Sequence, residues 1–153
     1  MRALLQRVTS ASVAIDGKIT AEIGQGLMIL FGVGQGDTEE DVAYVADRCV
    51  KLRIFEDEAG KMNLSLLDVG GEALIVSQFT LYADTVHGRR PGFTDAAEPE
   101  HANALYELFV QTVRNFGVRT GTGVFGADMH VTIHNDGPVT MMVESKPKAK
   151  NTK

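Results

Sequence analysis

The run Leu27-Met28-Ile29-Leu30-Phe31 offers no polar residue at any position. Side chains along a strand alternate between two faces, so a run apolar throughout is apolar on both. It predicts a buried central strand, and at this length it is far too short to span a bilayer. Ala73-Leu74-Ile75-Val76 is a second buried run, read here as the start of a strand over 73–81.

Lighter patterns surround these runs. Residues 2–15 alternate loosely and predict a strand bent near Ser10-Ala11-Ser12. Asp16-Gly17 is a hairpin signal, and Lys18 to Ile23 returns as a second strand. Thr38 with Asp41 three residues on reads as a capping box. Val42, Val45, Ala46, Cys49 and Leu52 then follow at helical spacing. Glu56 to Asn63 is polar, contains Gly60, and reads as a loop. Pro99 opens a second helix with Ala102, Leu105, Leu108, Phe109, Val113 and Phe116 inward, and Gly117 stops it. Met129, Val131 and Ile133 alternate with His130, Thr132 and His134 as a half-buried strand. Asn135-Asp136-Gly137-Pro138 reads as a turn, and Val139 to Val143 as the last strand. The order β-β-β-α-β-α-β-β, with two helices to cover one face of a strand-rich core, predicts an α+β layered domain over 1–145. A lysine-rich, flexible tail over 146–153 is expected.

Composition removes several functions. A net charge of −5, from 15 basic and 20 acidic residues, argues against wholesale binding to a nucleic-acid backbone, though not against gripping one end of an RNA. Cys49 is the only cysteine, so a disulfide framework is excluded and a reducing compartment is the simple reading. The first residues lack a secretory signal's long apolar region, and a cytoplasmic protein is expected. Gly32, Gly34 and Gly36 lie between strand and helix, but the spacing is not that of a phosphate loop. Asp37, Glu39, Glu40 and Asp41 would also meet the phosphate with carboxylates. His130 and His134 lie four apart on a strand, roughly 13 Å between side chains, too far for one metal. No metal and no cofactor is expected. Ser77 sits in no nucleophile elbow, and no histidine is near it in sequence.

Two stretches remain. Ser77-Gln78-Phe79-Thr80-Leu81 turns abruptly polar after a buried run; strand parity would put Gln78 and Thr80 on one face, Ser77 and Phe79 on the other. Asn135-Asp136-Gly137-Pro138-Val139-Thr140 is unremarkable as a turn. Together, in this order and spacing, they resemble the two signatures of the D-aminoacyl-tRNA deacylase family. The opening Met1-Arg2-Ala3-Leu4-Leu5-Gln6-Arg7-Val8 and the segment Gly123-Val124-Phe125-Gly126-Ala127-Asp128-Met129 are similar to the same family. The resemblance runs to about Glu144.

The resemblance implies a three-layer β/β/α domain, a homodimer, and hydrolysis of the ester of D-aminoacyl-tRNA, or of glycine mischarged on tRNA. Its partner would be a tRNA acceptor end, with no membrane and no DNA. It implies a cis Gly137-Pro138 bond reaching into the partner subunit's pocket, held by Arg7. Phe125 and Met129 join Arg7, Gly137 and Pro138 as expected substrate-binding residues. Ser77, Gln78, Phe79 and Thr80 are the expected catalytic group.

The chemistry suits these residues. Mirror-image amino acids share an amino group and an ester, and rigid main-chain carbonyls can read those while an L side chain clashes. Backbone N–H groups near Gln78 and Phe79 are candidate oxyanion donors. Thr80, or Ser77 in its place, would orient substrate or water, and the terminal ribose 2′-OH would assist. Two other readings stay open: a non-catalytic RNA-end or protein-binding dimer, and a small-ester hydrolase with a Ser77 or Thr80 nucleophile.

Overall fold

The computed structural model describes residues 1–145; the predicted lysine-rich tail, 146–153, lies outside the described residues. The elements run β1 (Arg2–Ile15), β2 (Lys18–Ile23), β3 (Gly26–Gly32), α1 (Glu39–Lys51), β4 (Phe55–Glu56), β5 (Met62–Leu64), α2 (Leu66–Val69), β6 (Glu72–Ser77), a 3-10 turn (Phe79–Tyr82), α3 (Pro99–Asn115), β7 (Thr120–Thr122) and β8 (His130–Glu144).

The long β1 is shared between two layers. Its first half pairs with β3, from Arg2 opposite Gly32 to Val8 opposite Gly26. Its second half pairs with β2 across Asp16-Gly17, where φ is 50° and 77°, the left-handed conformation that tight hairpins need. β8 runs antiparallel to β1 along both halves. β6 joins β3 in parallel, and β7 joins β6 in parallel. β3 and β6 approach closely because Gly26 has no side chain: a Cβ there would lie 1.8 Å from the Glu72 carbonyl oxygen.

The all-apolar run is explained by two cores. Leu27, Ile29 and Phe31 face one, with Leu5, Ile75 and the inner faces of α1 and α3. Met28 faces the other, with Val8, Val13, Ile23, Leu74 and Val76. This second core lies beneath β2 and the far half of β1, which fold back over the sheet. β2 packs on β6 and β7, and a Cβ on Gly121 would sit 3.4 Å from the Cβ of Ala21. The result is a β/β/α sandwich.

Both main helices start where the sequence places them. The Thr38 N–H donates to Asp41 Oδ2 at 2.8 Å, and Val42, Val45, Ala46 and Cys49 face the core. Pro99 is the first residue of α3. Its buried face is shifted, however: Tyr106 and Val110 are buried, whereas Leu108 and Phe116 only pack at the edge.

Four readings need correction. The stretch 56–63 is not a plain loop, because β4 and β5 pair there as a short hairpin. One turn of helix, α2, follows it, capped by the Ser65 hydroxyl, which accepts the Asp68 N–H at 3.1 Å. The strand over 73–81 stops at Ser77, and Phe79–Tyr82 coils into the 3-10 turn, so the parity assigned to Gln78 and Thr80 fails. Asn135-Asp136-Gly137-Pro138 does not turn the chain either: β8 keeps its direction and bulges. Two residue steps on β1, Gln6 to Val8, face five on β8, Asn135 to Thr140, so three residues' worth of β8 loops out.

Candidate active site

A cleft of about 700 Å³ opens at the end of β6. Ser77, Gln78 and Phe79 form one wall, and Phe125, Met129 and Val131 another. Met129 fits this apolar wall because Gly123 carries no side chain; a Cβ there would lie 2.6 Å from the Met129 sulfur. Phe93 stands edge-on to Phe79, ring centres 5.0 Å apart, and both are substantially exposed at the cleft. Glu98, Pro99 and Asp128 complete it, so its ionisable lining is acidic. Volume and lining suit a small organic group with a cationic end.

The abrupt polarity after Val76 now has a local cause. The Gln78 N–H donates to the Phe31 carbonyl at 2.8 Å, the last contact of the β3–β6 edge. The chain then coils, and the Gln78 side-chain amide donates to Thr80 Oγ1. This removes Gln78 N–H from the expected oxyanion donors. The N–H groups of Phe79 and Thr80 open the 3-10 turn and have no acceptor within it. Thr80 itself is exposed and does not line the cleft.

No imidazole serves either hydroxyl among the described residues. His87 Nδ1 is 2.6 Å from Asp84 Oδ2, and His101 Nε2 is 2.8 Å from the Asp37 carbonyl. His130 and His134 are exposed on β8. No cluster of potential metal ligands occurs among the described residues. In the glycine loop before α1, the Gly34 N–H donates to Asp37 Oδ2 at 2.6 Å, so a carboxylate of the chain itself occupies that donor.

The second signature builds a rigid, exposed corner. Gly137-Pro138 is a cis peptide, and Gly137 has φ 131°, a conformation that favours glycine. A Cβ on Gly137 would meet Val139 Cγ2 at 2.8 Å and Arg7 Nη2 at 3.2 Å. Asn135 closes the neck of the bulge: its Oδ1 accepts the Val139 N–H at 3.1 Å, and its Nδ2 donates to Thr140 Oγ1 at 2.8 Å. Arg7 supports it from beneath. Arg7 is 5% exposed; its Nε donates to the Asp136 carbonyl at 3.1 Å and Nη1 to the Ile54 carbonyl at 2.8 Å. Glu56 and Asp136 carboxylates lie 3.9 and 3.4 Å away.

The predicted residues thus form two groups. Ser77, Gln78, Phe79, Phe125 and Met129 share the cleft; Arg7, Gly137 and Pro138 form the corner, which does not line the cleft of its own chain. Sequence reasoning missed Phe93 and Glu98, and it quoted Asp128 within the Gly123–Met129 segment without giving it a role. Beside Glu98 the signal was Pro99, and it pointed to a helix start.

Known proteins match the chain along nearly its whole length. The family model described as D-Tyr-tRNA(Tyr) deacylase matches residues 4–144. A D-aminoacyl-tRNA deacylase of Fervidobacterium nodosum is 58% identical over 95% of this chain and 98% of its own. One of Bacillus velezensis is 55% identical over 95% and 99%. A solved structure titled c-Myc DNA Unwinding Element Binding Protein superposes with a TM-score of 0.91 at 40% identity, covering 96% of this chain and all of that one. A probable eukaryotic D-amino acid tRNA deacylase shares the fold, with a TM-score of 0.80 at 22% identity over 94% and 98%. With 141 of its residues matched by one family model and relatives above half identical along nearly its whole length, the chain belongs to the D-Tyr-tRNA(Tyr) deacylase family.

Proposed function

We propose that this protein is a cytoplasmic editing enzyme that hydrolyses D-aminoacyl-tRNA, and glycyl-tRNA formed in error, while leaving L-aminoacyl-tRNA intact. Hydrolysis of D-aminoacyl-tRNA comes with family membership; the basis of selection is inferred. Main-chain oxygens at Gly137-Pro138 would hold the α-amino group, and an L side chain would clash with them. Glycine has nothing to clash.

The observation that carries this reading is the corner itself: exposed, without a side chain at Gly137, and fixed from both sides by Arg7 and Asn135. A rigid main-chain element suits chirality because it ignores side-chain identity. Since it does not line its own chain's cleft, the reading includes a homodimer in which each corner enters the partner subunit's cleft. The acidic lining from Glu98 and Asp128 is compatible with an ammonium-bearing substrate.

For catalysis, the Phe79 N–H is the better oxyanion donor, because Gln78 N–H is already bonded. Thr80 orients rather than attacks: the Gln78 amide gives it a hydrogen bond and cannot take its proton. The terminal 2′-OH of the tRNA then assists the water. Purified protein should clear D-aminoacyl-tRNA and glycyl-tRNA and spare the L form. A 2′-deoxy terminal adenosine should slow turnover sharply, while Thr80→Ala keeps part of it. Equal hydrolysis of D and L esters would end the selection model, and normal turnover of the deoxy substrate would end the assisted mechanism.

A further inference from the structure

The chain has eight arginines. Six are engaged: Arg2 on the Leu81 carbonyl, Arg7 at the corner, Arg48 on Tyr44, Arg53 on the Asn63 carbonyl, Arg114 on the Thr120 carbonyl, and Arg119 on Glu72. Arg89 and Arg90 alone have no acceptor among the described residues. They are adjacent and exposed.

Their loop is built, not loose. Asp84 and Gly92 close it with reciprocal backbone bonds of 2.7 and 2.9 Å. Within it, Asp84 Oδ1 accepts the Val86 N–H at 2.9 Å, and Asp84 Oδ2 lies 2.6 Å from His87. The one carboxylate in the loop is therefore committed, and it leaves the two guanidiniums uncompensated. The next residue after the closing pair is Phe93, which lines the cleft against Phe79. A protein of net charge −5 thus presents its unpaired arginines on a braced loop rooted in the cleft wall.

We propose that Arg89 and Arg90 grip backbone phosphates of the RNA whose 3′ end occupies the cleft. This rests on the substrate class proposed above. Guanidinium forks match phosphate geometry, and contacts to phosphate fix register without reading sequence, as an editor of many tRNAs requires. The two residues are positioning residues and stay away from the reacting ester.

The test compares wild type with the double variants R89A/R90A and R89K/R90K on two substrates. One is full-length D-aminoacyl-tRNA; the other is a 3′-O-D-aminoacyl adenosine, which has no phosphate. Each lost phosphate contact should reduce the slope of log(kcat/KM) against log[salt] by roughly 0.7 to 0.9. On tRNA, R89A/R90A should therefore lose roughly 1.4 to 1.8 of slope, so that the wild-type advantage shrinks about ten-fold between 50 and 200 mM salt. The loss should fall on KM rather than kcat. R89K/R90K should keep most of the slope, and the adenosine ester should react equally with all three. An unchanged slope on tRNA overturns the proposal, and so does an equal loss on both substrates, which marks the loop as support for the cleft. Failure of wild type on D-aminoacyl-tRNA would instead strike the substrate assignment.

Discussion

Arg7→Met removes the guanidinium but keeps an unbranched stem of similar reach. Two hydrogen bonds from a charged donor disappear, to the carbonyls of Ile54 and Asp136. The bond to the buried Ile54 carbonyl is worth about 1.5–3 kcal/mol, and the part-buried bond to Asp136 sits at the low end of that range. The ion pairs add little. Glu56 and Asp136 side chains are 59% and 50% exposed, so solvent screens each to roughly 0–1 kcal/mol. Losing the cation also relieves its own desolvation. The net cost sits at the bottom of the hydrogen-bond sum, about 3 kcal/mol, which for a chain of this size lowers Tm by roughly 6–12 °C. Thermal melts followed by far-UV circular dichroism measure this, with Asp136→Asn as the control. That control keeps the main-chain contact and should cost under about 1 kcal/mol. A melt for Arg7→Met within 2 °C of wild type, or an Asp136→Asn loss as large, would refute the division between backbone contact and ion pair. The folded fraction of Arg7→Met should also lose turnover of D-aminoacyl-tRNA, because the corner loses its support.

Two further outcomes follow from the packing. Gly26→Ala forces a Cβ onto the Glu72 backbone, which cannot yield without parting β3 from β6; the variant should be insoluble or unfolded when expressed beside wild type. Burial holds the Tyr106 phenol up at about 12, against an ordinary 10, and its O–H donates to the Ile75 carbonyl at 2.7 Å. The folded state thus holds this proton more tightly than the unfolded chain. Its contribution is complete below the ordinary value and is lost as pH rises from 10 toward 12. Urea melts should show wild type losing more stability across that range than Tyr106→Phe, with Tyr82, also pushed up by burial, leaving a residual slope in both.

The sequence alone determined most elements whose signal is local; α2, capped within four residues by Ser65 and Asp68, went unread. Alternation gave β1, the Asp16-Gly17 pair gave the β1–β2 hairpin, and the capping pattern and Pro99 gave the starts of α1 and α3. These rest on interactions within a few residues of one another. The two signature stretches were legible as motifs, yet their shapes were not. Ser77 to Leu81 reads as strand, but the Phe31 carbonyl takes the Gln78 N–H, β3 ends, and no neighbour remains to hold the chain extended. Asn135 to Pro138 reads as a turn, because Asn, Asp, Gly and Pro favour one locally. β1 lies alongside on both sides of it, though, so the chain can only loop out and rejoin the same ladder. Arg7 finds Asp136 across 129 residues of chain, and Phe93 finds Phe79 only because β6 and the stretch before α3 meet at the cleft. Such pairings depend on which strands lie side by side, and no local preference encodes that.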